Sequence, residues 1–300
     1  MQYSVVLTTY NCSSTIISAL SSITNLLPSP DEVIIIDDAS QDDTVNKIGF
    51  ATLDLANVKL IVNPINKGQS YSRNLGVKES KTENIIIMDD DDCSYSNRAK
   101  IQLAALAKGV DVSYVSSLKM YPNGYAVEVC NSDFTSSPET SFKIIKHLVA
   151  GVPLADSLKL FSPSCSLAFK KSSFLKINGF REDLRRLEDI EFACRSLRNG
   201  LVLDWSSEIS LERFHTVGED KSASANFNGE LALLESVRDL FGIREFFVAR
   251  QMAIFRKNYF ERNYLSILKS FYILPLLALI APGKVITVVN RLKHDISQRA

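Results

Sequence analysis

The first hundred residues alternate between continuous apolar runs and stretches with helical spacing. Four short apolar runs, typical of strands that are buried on both faces, occur at residues 4–7, 33–36, 58–62 and 85–88. Helical patterns follow these runs in turn, at residues 16–27, 43–50, 69–79 and 97–108. This order predicts an α/β fold in which a mostly parallel sheet has helices on both faces.

The second half of the chain has a less regular pattern. A hairpin is predicted from residues 111–115 and 125–129 around the turn signal at residues 122–124, and a further strand from residues 162–171. Helices are predicted at residues 187–198 and 230–257. Because the strand patterns stop near residue 220, we predict an α/β domain over residues 1–220 and a C-terminal helical region over residues 221–300.

Composition excludes several classes of protein. The 300 residues are 46% hydrophobic and 23% charged, which is typical of a globular protein rather than a disordered one. The 34 Lys and Arg residues balance 34 Asp and Glu residues, so no nucleic-acid partner is expected. The five cysteines form no CxxC pair and the first residues lack a basic signal-peptide start, so we expect a cytoplasmic protein.

Positive charge is concentrated at the C-terminal end. Residues 244–300 contain ten Lys or Arg and three Asp or Glu, a local net charge of +7. The apolar segment 271–281 lies within this region, but it is too short to predict a spanning helix, and it is interrupted by Pro275 and followed by Pro282. We expect a peripheral contact with the inner face of the plasma membrane. The alternative is a helix packed against the rest of the protein.

Polar side chains follow three predicted strands, at the edge where open α/β sheets bind their ligands. Thr8 and Tyr10 follow the first strand, Asp38 follows the second, and four consecutive aspartates at residues 89–92 follow the fourth. Four adjacent carboxylates repel one another, and a bound Mg²⁺ or Mn²⁺ relieves that repulsion. A solvated acidic turn is the alternative interpretation.

The segment after the first strand, residues 7–12, contains no glycine. This argues against a dinucleotide-binding dehydrogenase, a P-loop enzyme and a sugar-phosphate nucleotidyltransferase, which use glycine-rich phosphate loops. Phosphate groups would then be bound by a metal ion or by basic side chains. Lys67 and Arg73, which lie in and after the loop that follows the third strand, are the candidates.

Five motifs stand along the chain at residues 5–11, 35–42, 66–74, 88–92 and 178–195. In order and approximate spacing they resemble the motifs of family 2 glycosyltransferases with the GT-A fold, and the resemblance covers about residues 3–220. It implies an inverting enzyme that uses a nucleotide-diphosphate sugar. The catalytic domain would then be residues 1–220, with a nucleotide-sugar half at 1–110 and an acceptor half at 111–220.

The resemblance also implies roles for single residues. It implies nucleotide-sugar binding by Thr8, Tyr10, Asp38, Arg73 and Asp91. A divalent metal, Mn²⁺ or Mg²⁺, would be held by Asp92 with Asp91 and His215. The family usually has a small residue where this chain has Asp90, so the register of the metal ligands is open by one position.

Asp189 matches the catalytic base of inverting members, and Glu188 stands beside it as a supporting or acceptor-binding group. The alternative is that both are N-terminal charges that favour the helix dipole. The only tryptophan, Trp205, lacks the Gln-x-x-Arg-Trp context of processive members, which favours transfer of a single sugar. A glycan or lipid-linked acceptor in surface polysaccharide assembly is expected. The rival hypothesis is a non-catalytic nucleotide-sugar-binding domain of the same fold.

Overall fold

The computed structural model describes residues 1–52, 57–154, 158–214, 223–261 and 263. Its strands are β1 (Tyr3–Thr9), β2 (Glu32–Asp37), β3 (Val58–Val62), β4 (Asn84–Asp89), β5 (Asp92–Ser94), β6 (Val112–Met120), β7 (Ala126–Val129), β8 (Phe134–Thr135), β9 (Leu167–Lys170) and β10 (Leu203–Phe214). Its α-helices are α1 (Ile16–Thr24), α2 (Thr44–Thr52), α3 (Gln69–Glu79), α4 (Arg98–Ala107), α5 (Pro138–Ala150), α6 (Lys171–Lys176), α7 (Glu188–Arg198), α8 (Ala223–Ser236) and α9 (Ile243–Phe260).

All ten described strands belong to one sheet, in the order β3-β2-β1-β4-β9-β6-β10-β5, with β7 on β6 and β8 on β10. The strands β3, β2, β1 and β4 are parallel. Beyond β4 the sheet is mixed, because β9 runs antiparallel to both β4 and β6. Because β9 runs opposite to both of its neighbours, β6 has the same direction as β4. The carboxyl ends of β1, β2, β4 and β6 therefore lie at one edge.

Both faces of β1 are covered by helices, as the apolar runs predict. Val5 and Leu7 belong to a buried cluster with apolar residues of α1 and α4. On the other face, α3 approaches so closely that a Cβ atom on Gly76 would clash with Cγ1 of Val6. The predicted α/β architecture is therefore confirmed, with glycine as the residue that permits the close packing of α3.

The second half of the chain differs from its predicted elements in three places. The hairpin is present, but β6 extends to Met120. The strand expected over residues 162–171 is shorter, because residues 164–166 form a 3₁₀ turn before β9. The long strand β10 was not predicted, since its polar centre at residues 206–208 breaks the apolar pattern where its register with β6 shifts.

The described chain divides into two compact units. The first contains the sheet. The second contains residues 139–154 and 158 together with residues 223–261 and 263, and here the predicted helix over residues 230–257 is two helices, α8 and α9. Lys146 of α5 pairs with Glu245 of α9 at 2.8 Å in this unit. No helix in the described part has the length and apolar character needed to cross a membrane. The apolar segment 271–281 lies outside the described residues.

Candidate functional site

The polar residues that follow β1 and β2 lie together at the carboxyl edge of the sheet. Thr9 is in register with Asp37, and Thr8 with Asp89 of β4. Thr8 is buried, whereas the Tyr10 side chain is 45% exposed beside this edge. The Tyr10 amide donates a hydrogen bond to Oδ2 of Asp90 at 3.1 Å, which joins the end of β1 to the acidic turn after β4.

Asp38 orders the loop that leads into α3. Its Oδ1 accepts hydrogen bonds from the Asn63 side chain at 2.8 Å and from the Lys67 amide at 3.0 Å. Its Oδ2 accepts one from the Gly68 amide at 2.7 Å. The carboxylate is buried and held by the chain itself, so it fixes the loop while Oδ2 keeps capacity for a second hydrogen bond.

The four aspartates at residues 89–92 occupy different environments. Asp92 begins β5 and is buried; burial and the neighbouring charges of Asp89 and Asp91 raise its pKa well above the ordinary value. Burial also raises the pKa of Asp90, to about 6. Crowded, desolvated carboxylates of this kind favour a bound cation or a proton.

A cluster of three residues within this region has the spacing of metal ligands. Among the residues that the structure describes, one ligand atom each of Asp89, Asp92 and Cys165 lies within 4.8 Å of the others. The two carboxylates suit Mg²⁺ or Mn²⁺, whereas burial raises the pKa of the Cys165 thiol and a protonated thiol is a poor ligand for either cation. The fit to a divalent cation therefore rests on Asp89 and Asp92. Asp91 is half-buried at the mouth of this turn and is not one of the three, and His215 lies outside the described residues.

Arg73 is fully buried and joins the two acidic parts of the site. Its Nη2 donates to Oδ1 of Asp89 at 2.8 Å, and its Nη1 donates to Oε1 of Glu188 at 3.0 Å. Gln69, one turn earlier on α3, also donates to Oε1 of Glu188, at 2.7 Å. The end of β4, the helix α3 and the start of α7 are therefore held by one ion-paired network.

The helix α7 begins at this network. Leu187, the residue before it, has a φ of 63°, a left-handed conformation that is uncommon for leucine and that turns the chain sharply into the helix. Burial and the charge of Asp189 raise the pKa of Glu188, while Arg73 opposes the shift. Burial also raises the pKa of Asp189, against the opposing effect of the Ile190 amide, whose N–H lies 2.8 Å from Oδ1 of Asp189.

Two side chains hold the turn that precedes α7. The side chain of Asn74 accepts from the Phe180 amide and donates to the Phe180 carbonyl, both at 2.9 Å. Arg195 of α7 pairs with Glu191 and donates to the Gly179 carbonyl at 2.6 Å. Gly179 has a φ of 62°, and a Cβ atom there would lie 2.6 Å from Oδ1 of Asn74. Hydrogen bonds with Asn74 and Arg195 thus hold the turn at residues 178–180 in a fixed position.

Arg213 and Cys165 are site residues that sequence reasoning missed. Arg213 lies on β10 in register with Asp92, and the neighbouring Cys165, Asp92 and Asp89 raise its pKa against the opposing effect of burial. Cys165 lies in the 3₁₀ turn before β9. Neither an arginine in an unpredicted strand nor an isolated cysteine carries a signal in the sequence. The place of Arg213 follows from the pairing of β10 with β5, and that of Cys165 from the position of β9 beside β4.

A second buried cation, Arg98, lies beneath the acidic turn. It donates to the Ile87 carbonyl at 2.8 Å, to Oγ of Ser94 at 2.9 Å and to Oε1 of Gln102 at 3.0 Å. These acceptors are all neutral. Burial lowers the pKa of Arg98 to about 10, and its charge still offsets the negative charge of Asp92.

Residues 4–129 match the family model of glycosyl transferase family 2. An uncharacterized glycosyltransferase of Haemophilus influenzae is 27% identical over 198 residues, which are 65% of this chain and 62% of that protein. The UDP-Gal:alpha-D-GlcNAc-diphosphoundecaprenol beta-1,3-galactosyltransferase of Escherichia coli is 28% identical over 188 residues, 61% of this chain and 62% of that protein. The chain thus spans about three fifths of the length of these two relatives.

The fold is similar to that of S. aureus TarS. One crystal structure of TarS contains residues 1–349 in complex with UDP and superposes with a TM-score of 0.63 at 18% sequence identity. The superposed region covers 88% of this chain and 73% of the TarS chain. A complex of the same protein with UDP-GlcNAc also superposes with a TM-score of 0.63. At this identity the likeness shows a common fold.

Proposed function

The chain belongs to glycosyl transferase family 2 through residues 4–129 and has a GT-A fold, and on this premise we propose that it is an inverting enzyme. It would transfer one sugar from a nucleotide-diphosphate sugar to a hydroxyl group of a glycan or lipid-linked acceptor. The observation that carries the proposal is the Arg73 network, which brings the acidic turn after β4 and the acidic start of α7 into one site.

The donor would bind at the carboxyl edge of β1, β2 and β4. Tyr10 exposes its ring there, and Thr8 and Asp38 border the same edge. Because Asp38 already orders the loop that would border the base, the protein would lose little conformational entropy when the donor binds. TarS, which shares the fold, binds UDP and UDP-GlcNAc, which supports a nucleotide-sugar donor for this chain.

Asp92, together with Asp91 or with Asp89, would hold the divalent cation. When bound, this cation supplies positive charge that offsets the negative charge on the diphosphate leaving group. Arg213, in register with Asp92, lies beside the same position and adds a fixed positive charge from the protein. Charge that is already oriented before the reaction stabilises the transition state at little reorganisation cost.

Asp189 fits the role of general base better than Glu188 does. Oε1 of Glu188 accepts two hydrogen bonds, from Arg73 and Gln69, and the side chain is buried. Asp189 is half-buried, and a raised pKa makes its carboxylate a better proton acceptor near neutral pH. Glu188 would therefore position the start of α7, while Asp189 takes the proton of the attacking hydroxyl group.

We expect Asp92→Asn to abolish metal-dependent binding of UDP while the protein stays folded. The substitution keeps the shape and a hydrogen-bond acceptor for the Phe214 amide, which lies 3.3 Å from Oδ1, but it removes a charged ligand. Loss of an outer-sphere partner costs about 10- to 100-fold in metal affinity, and loss of a ligand should cost at least as much. Calorimetric titration of UDP with and without Mn²⁺ measures this difference.

Asp43→Asn is the matched control for this variant, since Asp43 is an exposed aspartate of the same unit. It should bind UDP and Mn²⁺ like the parent protein. An Asp92→Asn protein with parental, Mn²⁺-dependent affinity would remove Asp92 from the ligand set and leave Asp89 and Asp91 as the candidates.

An acceptor linked to a lipid through a diphosphate is the favoured acceptor class. The E. coli relative that is 28% identical over 188 residues is named for such an acceptor, GlcNAc-diphosphoundecaprenol. The basic, apolar C-terminal region over residues 244–300 would bring the enzyme to the membrane face where a lipid-linked acceptor resides. The enzyme would then act at the cytoplasmic face of the plasma membrane, in surface polysaccharide assembly.

We expect the full chain to sediment with vesicles that contain phosphatidylglycerol and to remain in solution with vesicles of phosphatidylcholine alone. Each basic residue near an anionic surface contributes about 1 kcal/mol, so the local charge of +7 is sufficient. Because salt screens this attraction, 1 M NaCl should release most of the bound protein. Equal sedimentation with both vesicle types, or none with either, would contradict a peripheral electrostatic contact.

A panel of nucleotide sugars tests the proposed function directly. A donor should raise the melting temperature in the presence of Mn²⁺, because a ligand that binds only the folded state stabilises it. The same donor should then support transfer to a sugar-diphosphate acceptor. Donor binding without transfer or donor hydrolysis would favour the rival function, a non-catalytic nucleotide-sugar-binding domain.

A further inference from the structure

Three charged residues form a row across neighbouring strands at the carboxyl edge of the sheet. Asp92 of β5 is in register with Arg213 of β10, and Arg213 is in register with Lys119 of β6. Residues that are opposite one another in a sheet place their side chains on the same face. The row therefore leads from Asp92, at the candidate metal site, to Lys119 over two strand spacings, about 10 Å.

Lys119 is a cation without an acidic partner in the described part of the chain. Its ammonium group lies 4.9 Å from the centre of the Tyr121 ring. The nearest acidic residue on the paired strand β7, Glu128, is in register with Leu118. Successive residues of a strand point to opposite faces, so the Glu128 carboxylate lies on the other side of the sheet. Lys119 thus presents a positive charge that is available to an anionic ligand.

Two tyrosines extend the row past Lys119. The rings of Tyr121 and Tyr125 lie 5.9 Å apart at the tip of the β6–β7 hairpin, and Tyr125 is 59% exposed. The tip is fixed by hydrogen bonds from the Tyr121 amide to the Tyr125 carbonyl at 2.8 Å and from the Gly124 amide to the Tyr121 carbonyl at 2.9 Å. A rigid, amphipathic aromatic surface binds a ligand with little loss of side-chain entropy.

We propose that Lys119, Tyr121 and Tyr125 form the binding surface for the acceptor, and that the acceptor is a sugar linked to a diphosphate. Lys119 contacts the diphosphate, and the tyrosine rings pack against the apolar face of a sugar ring. Charge complementarity carries this assignment, because among the described residues Lys119 contacts the Tyr121 ring but no carboxylate, and its charge therefore suits an anionic acceptor better than a neutral one. The inference rests on the proposed transferase function and adds to it the surface that selects the acceptor.

The test is a calorimetric titration of the full chain after it has been saturated with UDP and Mn²⁺, so that the donor site is occupied. The charged probe is GlcNAc joined through a diphosphate to a short alkyl chain, and the neutral probe is the alkyl glycoside of GlcNAc. Lys119→Ala should weaken binding of the charged probe about tenfold, the scale of one charge-assisted contact, and leave the neutral probe unchanged. Lys119→Gln, which keeps most of the side-chain stem, should give the same result.

Tyr125→Ala should weaken binding of both probes, whereas Tyr125→Phe should retain it, because ring packing does not need the hydroxyl group. Lys108→Ala, which removes an exposed lysine after α4, is the matched control and should bind both probes normally. The inference would be overturned if Lys119→Ala and Tyr125→Ala both bound the charged probe with parental affinity. It would also be overturned if Lys119→Ala lost equal affinity for the charged and the neutral probe. Failure of the parent protein to bind UDP would instead count against the proposed function.

Discussion

Replacing Asp189 by asparagine is expected to lower the rate of sugar transfer by about 10²- to 10⁴-fold, the range for loss of a positioned general base. The asparagine side chain keeps an oxygen that can accept from the Ile190 amide, as Asp189 does at 2.8 Å. The start of α7 should therefore keep its conformation, and donor binding should not change. Steady-state kinetics with saturating donor, together with calorimetric titration of UDP, separates the two quantities.

Asp183→Asn is the matched control for this experiment. Asp183 is an exposed acid on the same segment, and it makes a surface ion pair with Arg181. Exposed pairs contribute little to stability, so the control should transfer sugar at close to the parental rate. If Asp189→Asn also transfers at the parental rate, Asp189 is a helix-start charge and the base lies elsewhere.

Arg73→Met should lower the free energy of unfolding by about 3–5 kcal/mol, the usual effect of removing one partner of a buried ion pair. The substitution leaves Asp89 and Glu188 without the guanidinium group that both of them contact. Methionine fills a similar volume, so the lower free energy of unfolding would come mainly from the lost charge and not from a cavity. Urea denaturation followed by circular dichroism measures it.

The destabilisation of Arg73→Met should depend on pH. The pKa of Glu188 is already raised to about 7, mainly by burial, and loss of Arg73 raises it further. The folded protein then binds more protons than the unfolded chain, so stability rises as the pH falls. The destabilisation of Arg73→Met relative to the parent protein should therefore be larger at pH 8 than at pH 6. Adding Glu188→Gln to the Arg73→Met protein should reduce it.

An exposed ion pair of the same unit provides the comparison. Lys59→Met removes the partner of Glu79, which lies 2.6 Å away on the surface, and should destabilise the protein far less than Arg73→Met, because solvent screens an exposed ion pair. The Arg73 network would not be a buried, charge-compensated one if Lys59→Met and Arg73→Met lowered the free energy of unfolding equally. The same conclusion would follow if the destabilisation of Arg73→Met did not depend on pH.

The first half of the fold could be predicted because its signals are local. Runs such as residues 33–36 and 85–88 are apolar throughout, since both faces of the parallel strands are covered by helices. β10 gave no such signal, because its N-terminal half is interrupted by Ser206 and Ser207. β5 contains only three residues, and its pairing with β10 is a tertiary contact that no local pattern encodes.

The sequence also predicted which residues gather at the site better than it predicted their contacts. Arg73 was expected to bind the nucleotide sugar, and in the structure its Nη1 and Nη2 contact protein carboxylates. Asp38 was expected to bind the nucleotide sugar, and in the structure its carboxylate accepts hydrogen bonds from the loop that carries Lys67. Such contacts depend on side-chain directions between distant elements, whereas motifs report only residue types and spacing. The functional assignments of these residues remain predictions.

The Arg73 network has a consequence for synthesis of the chain on the ribosome. Arg73 and Glu188 are 115 positions apart, Gln69 and Glu188 are 119 apart, and Asn74 and Phe180 are 106 apart. The strands β1 to β4 and the helix α3 emerge long before these partners do. Because domains fold as the chain emerges from its N-terminal end, the nascent sheet carries Arg73 without Glu188 until α7 has been synthesised. The strands β1 to β4 are therefore translated first, and the Arg73 network is completed only near the end of the α/β domain.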